Sequence, residues 1–274
     1  MKNIDKPTVE SFSEEWTYFD QTELSSFEAE KIFNEYFSIF PWNSIPSNAS
    51  GFDMGCGSGR WAKFMAPKVG SLHCIDPSSA LEIAKNSLRF NSNVTFHSAS
   101  VDELPLPLNS QDFGYSLGVL HHIPDTNLAL KCCVDMLKPG APFHVYLYYA
   151  FDNRNKIYKL IWKLSDKLRK AICKLPSRSK HFITDIIAAT IYYPLARLTF
   201  IAEKIGLNVS SIPLSYYRNH SFYTMRTDSR DRFGTPLEHR FTREKITQMM
   251  TDAGLKEIKF SDSAPYWCAV GFKK

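Results

Sequence analysis

The 274-residue chain has no C-x-x-C pair, no uninterrupted apolar run of about 18 residues, no basic and apolar leader closing on small residues, and no internal repeat or low-complexity tract. Each absence removes a class of protein. Six scattered cysteines (Cys56, Cys74, Cys132, Cys133, Cys173 and Cys268) lack metal-ligand spacing, so neither structural zinc nor a disulfide framework is expected. They read instead as reduced thiols that pack as small hydrophobes. Without an apolar run or a leader, neither a spanning helix nor secretion is indicated, and the expected location is cytoplasmic. Acids are scarce in one place: residues 154–180 hold ten Lys/Arg against Asp166 alone, a local +9 that leaves the rest of the chain at −4 within a total of +5. Charge so localised argues against a nucleic-acid footprint spread over the protein.

What is present fills a large α/β core, at 44% hydrophobic and 14% aromatic residues. Short β-rich runs at 50–54, 71–75, 94–98, 112–117 and 142–148 alternate with helical patterns at 60–66, 79–90 and 126–138, the mark of a parallel sheet with helices on both faces. Asp76-Pro77-Ser78-Ser79 supplies a proline stop and a serine cap, and Lys138-Pro139-Gly140 ends a helix. After Tyr149 the alternation stops. Two long helical patterns follow, 154–174 and 180–205, then an irregular stretch rich in aromatics and arginine from 212 to 240. Thr242 caps a further helix with Glu244 in its first turn, and strands are expected near 256–260 and 266–272. The organisation expected is therefore an N-terminal lid or helical segment (1–49), a ligand-binding core (50–150), a helical insertion that caps the substrate (151–240), and a C-terminal completion of the sheet (241–274).

The stretch 52–60, Phe-Asp-Met-Gly-Cys-Gly-Ser-Gly-Arg, places three alternating glycines where a strand turns into a helix. Glycines let the backbone approach a ligand closely, and the following helix offers unpaired N–H groups to a carboxylate or phosphate. A dinucleotide fingerprint starting at Gly55 needs a glycine at position 60, which is Arg60; the third glycine is Gly59, and an acid, Asp53, precedes the first by two residues. A second acid, Asp76, ends the next strand. It is placed either to accept both hydroxyl hydrogens of a ribose or to cap the helix that follows.

Downstream come Ile-Asp-Pro-Ser at 75–78, Asp-Glu-Leu-Pro-Leu at 102–106, Gln-Asp-Phe at 111–113, Leu-Gly-Val-Leu-His-His-Ile-Pro-Asp at 117–125 and Leu-Lys-Pro-Gly-Ala at 137–141. With the glycine turn, these motifs in this order resemble the class I S-adenosylmethionine-dependent methyltransferases, of the type 11/25 methyltransferase-domain kind. The resemblance implies a Rossmann-like, seven-stranded, mostly parallel sheet with helices on both faces, an antiparallel last strand, and a largely helical insertion before the last helix and strand pair. It implies S-adenosyl-L-methionine as cofactor, S-adenosyl-L-homocysteine as product, and no metal. Residue by residue, Asp53, Gly55, Gly57 and Gly59 would surround the methionine part, Asp76 the ribose, and Val101 and Asp102 the adenine, with Leu117 at the end of the fourth strand also on the cofactor. Many relatives carry an acid where this chain has Ser100, so the adenine amino group falls to Ser100 or Asp102.

A sulfonium is already the electrophile, so alignment and a dry site do most of the work. For a hydroxyl or amine acceptor one base must take a proton, and His121 and His122 are the candidates, the alternative being that they only shape the pocket. Residues 11–20 carry four aromatics, and as a lid they would bring Trp16 or Tyr18 to the cation; as a helix packed on the sheet edge they would not. Within the insertion, Ile157, Leu160, Ile161, Leu164, Leu168 and Ile172 recur at helical spacing among lysines, which fits either an anionic membrane surface or packing on the next helix. Tyr223 and Arg226, in the aromatic and arginine-rich stretch, are the substrate-side candidates there, unless the arginines pair with Asp228 and Asp231. No Asn/Asp-Pro-Pro-Tyr element follows the fourth strand, so a nucleic-acid substrate is not expected. The expected activity is methylation of a small-molecule or lipid-linked acceptor on O, N or C, with peripheral contact at the inner face of the membrane through 154–174. The alternative is a catalytically inactive cofactor- or partner-binding protein of the same fold.

Overall fold

A computed structural model describes residues 2–103, 105–152, 154–210 and 212–274. Leu104 of the 102–106 motif, with Asn153 and Ser211 of the insertion, lies outside them. In chain order the elements begin with α1 (Lys6–Tyr18), α2 (Ser26–Tyr36), β1 (Ser50–Met54), α3 (Ala62–Met65), β2 (Ser71–Ile75), α4 (Ala80–Ser87), β3 (Val94–His97), β4 (Phe113–Leu117), α5 (Thr126–Met136) and β5 (Pro142–Tyr146). They continue with α6 (Lys156–Ile172), α7 (Ser177–Ile187), α8 (Tyr193–Lys204), α9 (Phe222–Gly234), α10 (Arg243–Asp252), β6 (Leu255–Phe260) and β7 (Cys268–Lys273).

The chain divides into two compact units, the first comprising 1–20, 29–150 and 237–274, the second 21–28 and 151–236. In the first, seven strands are ordered β3-β2-β1-β4-β5-β7-β6, parallel from β3 through β5, with β7 antiparallel to both neighbours. The strand order reverses between β1 and β4, and ligands of such sheets bind beyond the strand ends at that switch. Alternation along the strands fills both faces: Phe52, Met54, Phe143 and Val145 join α5 and α10 on one side, whereas Leu72, Cys74, Phe113 and Tyr115 join Phe33, Phe37 and Trp61 on the other. The rings of Phe52 and Phe113 lie over Gly114 and Gly51 of the neighbouring strand, where a Cβ would collide with each ring.

The second unit is helical. α7, a π-helical turn at Ala188–Tyr192, and α8 form one continuous helix from Ser177 to Lys204. The widened turn directly precedes Pro194, whose missing N–H and bulky ring disturb the ladder four residues back. By length and composition alone this helix is long and apolar enough to cross a membrane, its apolar character being spread over a window rather than in the uninterrupted run sought in the sequence. Residues 212–240 were expected to be irregular, yet 222–234 form α9, with Ser221 accepting from the Thr224 N–H as its cap. The buried residues of α9 include Thr224, Thr227, Ser229 and Arg230 beside Met225 and Phe233, so no apolar period marks it. Residues 21–28 strap its start: Glu28 Oε1 accepts from the Ser221 N–H and the Thr224 hydroxyl, both at 2.8 Å.

Candidate active site

The glycine turn is held by the neighbouring strand. Both Gly55 N–H and Cys56 N–H donate to the Ile75 carbonyl, at 2.7 and 3.1 Å, carrying the chain off β1 toward α3. Gly55, Gly57 and Gly59 have φ of +78°, +52° and +78°, a region that side chains rarely adopt. A Cβ at Gly59 would press on Ala84 and Leu88 of the α4 region, and one at Gly57 would stand 3.1 Å from the Trp16 indole nitrogen.

Two acids flank this turn. Asp76 ties it to β2: one carboxylate oxygen accepts from the Gly57 N–H at 2.9 Å, the other from the N–H and hydroxyl of Ser78 at 2.8 and 2.5 Å. The carboxylate therefore closes a turn instead of capping α4, and the Ser78 hydroxyl accepts from the Ala80 N–H. Burial raises the Asp76 pKa, with those three hydrogen bonds opposing the rise. Asp53, in the middle of β1, is fully buried among the apolar residues around Tyr115 and Cys74, and neither carboxylate oxygen has a hydrogen bond. Burial pushes its carboxyl well above the usual range, the neighbouring Tyr115 phenol acts the other way, and the Asp76 charge adds to the rise.

At the end of β3, the Ser100 hydroxyl donates to Asp102 Oδ1 at 2.7 Å while Val101 is buried, so Ser100, Val101 and Asp102 come together as one turn. Sequence reasoning missed its third partner. Asn3 donates its N–H to Asp102 Oδ2 at 2.9 Å, and its side chain exchanges two 2.8 Å hydrogen bonds with the Asp125 backbone, stitching the N-terminus to the start of α5. Leu117 is buried at the end of β4.

The histidines after β4 differ from each other. His121 is fully buried and stacked on Tyr148 at 3.8 Å between ring centroids; burial first, then His122, Arg240 and His239, pulls its pKa well below the ordinary value. It is a neutral ring at pH 7, and its Nε2 has no hydrogen-bond partner. His122 turns Nδ1 to the Leu237 carbonyl at 2.6 Å, which makes Nδ1 the protonated nitrogen, and meets the edge of Phe12. The Arg240 guanidinium also lies over the Tyr148 ring, 4.8 Å from its centroid, and is itself paired with the buried Glu238 carboxylate at 2.6 Å. Tyr148 and Arg240 were not expected in the site. Residues 148–150 and 239–241 meet as a bridge, Phe241 N–H donating to Tyr148 O and Ala150 N–H to Phe241 O, but 90-odd intervening positions hide that meeting in the sequence.

Residues 52–145 match the family model described as a methyltransferase domain. Over these residues the chain carries a class I S-adenosylmethionine-dependent methyltransferase domain. This methyltransferase is 28% identical over 224 residues to a ubiquinone biosynthesis O-methyltransferase of Pseudomonas fluorescens (strain Pf0-1), covering 69% of the chain and 94% of that protein. To a ubiquinone/menaquinone biosynthesis C-methyltransferase of Rickettsia bellii (strain OSU 85-389) it is 29% identical over 186 residues, covering 58% and 73%. An O-methyltransferase family protein from Burkholderia thailandensis shares its fold at a TM-score of 0.53 and 10% identity, over 90% of this chain and 56% of that one. A phosphoethanolamine N-methyltransferase of Haemonchus contortus, solved with S-adenosylhomocysteine, does so at 0.51 and 16%, over 93% and 46%.

The four substrate-side candidates of the methyltransferase separate into pairs. Trp16 and Tyr18 lie on α1 of the first unit, Trp16 beside Gly57 and Tyr18 half-exposed against Phe19. Alongside them, α1 touches Ser79 through the Ser13 hydroxyl and Leu237 through the Thr8 hydroxyl, so it runs over the ends of β1, β2 and β4. Tyr223 and Arg226 belong to α9 in the second unit. There Arg226 grips Asp185 of α7 with two hydrogen bonds at 2.9 and 2.8 Å, and the Tyr223 hydroxyl accepts from the Gln21 N–H at 3.0 Å. Arg226 is thus paired with Asp185 of α7, and both side chains hold the insertion together. Among the described residues no group of three or more His, Cys, Asp or Glu could hold a metal ion.

Proposed function

We propose that the methyltransferase holds S-adenosylmethionine at the end of β1 and methylates a small acceptor carried on a lipid, at the surface of the membrane that holds it. The observation that carries the cofactor assignment is the pair of acids flanking the glycine turn, above all Asp53, whose fully buried carboxyl has no cationic partner and only the Tyr115 phenol beside it. A buried, unpaired carboxylate is costly unless it is neutral or meets a cation, and a ligand ammonium beside the turn supplies one. Asp76 already has its oxygens aligned by Gly57 and Ser78, so ribose hydroxyls donating to it would meet a fixed acceptor. The three positive-φ glycines leave the turn bare for the methionine part, and Ser100, Val101 and Asp102 form the adenine side. These groups fit the cofactor.

When bound, S-adenosylmethionine supplies an activated methyl group, and the chain has to align the acceptor and exclude water. Trp16, beside Gly57, is the residue that closes over the turn and faces positive charge with its ring. Burial beneath Tyr148 disfavours the protonated form of His121 and makes it the weaker proton acceptor of the two; it positions that ring. His122, with its Nδ1 proton fixed on Leu237 O, presents Nε2 as the lone-pair nitrogen and is the group to accept a proton from a hydroxyl or amine. The lipid-linked acceptor is supported by relatives named for ubiquinone and menaquinone biosynthesis, which include both O- and C-methyltransferases.

The test is calorimetric titration with S-adenosylmethionine. Asp76→Ala removes two charge-assisted hydrogen bonds and weakens binding by about a hundredfold or more, while His122→Asn leaves binding unchanged and lowers turnover by about a hundredfold. Unchanged binding by Asp76→Ala overturns the cofactor assignment; unchanged turnover by His122→Asn removes the base.

A further inference from the structure

α6 is mounted with its aliphatic side outward. Ile157, Leu160, Ile161, Leu164 and Leu168 recur at i, i+3, i+4, i+7 and i+11, one stripe of the helix, and every one is exposed, from 47% to 70%. The opposite side faces α9 with polar and aromatic groups: Arg169 is buried and donates to Asp166 and to the Thr235 and Pro236 carbonyls, and Trp162 lies against Phe151 and Arg232. Lys156, Lys159, Lys163, Lys167 and Lys170 run along one flank of the aliphatic stripe. The following helix repeats the pattern, burying Thr184, Ala188, Ala196 and Thr199 while Phe182, Ile186, Leu198 and Ile201 are exposed.

We infer that α6 is a monotopic membrane seat, its aliphatic stripe inserted among the acyl chains and its lysines on the headgroups of an anionic bilayer. This deepens the proposed function by locating where the acceptor is met, and rests on it only in that respect. The chemistry of the stripe favours lipid over protein. Protein interfaces are enriched in Tyr, Trp and Arg and depleted in Lys, whereas this face offers Ile and Leu bordered by Lys, and the aromatics of α6 are turned inward. Aliphatic residues on one side with lysines at the flank are the composition of helices that lie in the interface plane. The helix 177–204 lies flat too. Its Asp185 is tied to Arg226 and its Arg197 donates to the Arg218 and His220 carbonyls, bonds that a spanning orientation would break.

The experiment sediments the full chain with vesicles of phosphatidylcholine alone and of phosphatidylcholine mixed with phosphatidylglycerol. Expected are binding to the anionic vesicles, weakening with salt, and loss of binding in L160E/L164E/L168E with cofactor affinity and melting temperature retained. K159Q/K163Q/K167Q, which leaves the stripe intact, is expected to bind anionic vesicles about a hundredfold more weakly. Two results overturn the inference: no binding by folded, cofactor-binding protein, or a dimer that L160E/L164E/L168E converts to monomer without any vesicle binding, which makes the occupant a second copy of the chain. Methyl transfer to a detergent-dispersed acceptor in the same samples reads the proposed function separately, since loss of docking leaves it intact.

Discussion

The two compact units differ in the charged residues they bury. In the first, Leu72, Leu130 and Phe143 have no exposure, and among the described residues no lysine or arginine is buried. In the second, Arg230 is fully buried and Arg169 and Lys180 nearly so, while Leu164 is 58% and Ile157 70% exposed. A domain that faces water on all sides is organised like the first. The second combines an apolar cluster of Ile172, Ile187, Tyr192, Ala196, Met225 and Phe233 with buried cationic side chains, and leaves aliphatic side chains on its outside.

The sharpest way to break that contrast is to remove the groups each unit depends on. Arg169→Ala strips Asp166 and two carbonyls of a buried donor and is expected to cost about 3–5 kcal/mol in urea unfolding. A cost under 1 kcal/mol would mean that the insertion is held by its apolar contacts after all. Next in size is a matched pair of truncations. Leu130→Ala, inside the first unit, is expected to cost about 2–5 kcal/mol, and Leu164→Ala, on the outer face of α6, less than about 0.5 kcal/mol. Equal costs would erase the distinction between the units.

The arrangement of the first unit was legible in the sequence because its strands and helices alternate and its glycines serve backbone geometry. Short β-rich runs between helical patterns marked β1 through β5, and Gly55, Gly57 and Gly59 marked the turn, where their positive φ favours glycine. The insertion resisted the same reasoning for two physical causes. Periodicity places Ile157, Leu160 and Leu164 on one stripe but is silent about which side of the helix faces inward, and α9 buries serine, threonine and arginine, so it has no apolar stripe to detect. The Tyr148–Arg240 contact was invisible for a third cause, since its halves lie on either side of the insertion.

A smaller effect separates the units by pH. His144 is buried in the first unit with Nε2 donating to the Tyr36 carbonyl, and burial lowers its pKa to about 4 in spite of that bond. The unfolded chain protonates this side chain near 6.5, so its stabilising contribution is complete above about pH 6.5 and is lost as pH falls toward 4, at up to about 1.4 kcal/mol per pH unit. His121 adds loss of the same sign. His144→Gln is expected to flatten the slope of unfolding free energy between pH 6.5 and 4 by up to one proton; an unchanged slope would show that His144 ionises freely in the folded state.

The central claim, that the cofactor held at the glycine turn methylates a lipid-borne acceptor, is tested most directly by incubating the protein with methyl-labelled S-adenosylmethionine and a bacterial membrane extract. The account predicts label in the organic-soluble fraction with wild-type protein and none with Asp76→Ala. Bound cofactor with no label in any lipid, quinone, saccharide or metabolite fraction would contradict it and make the chain a binding protein of the same fold.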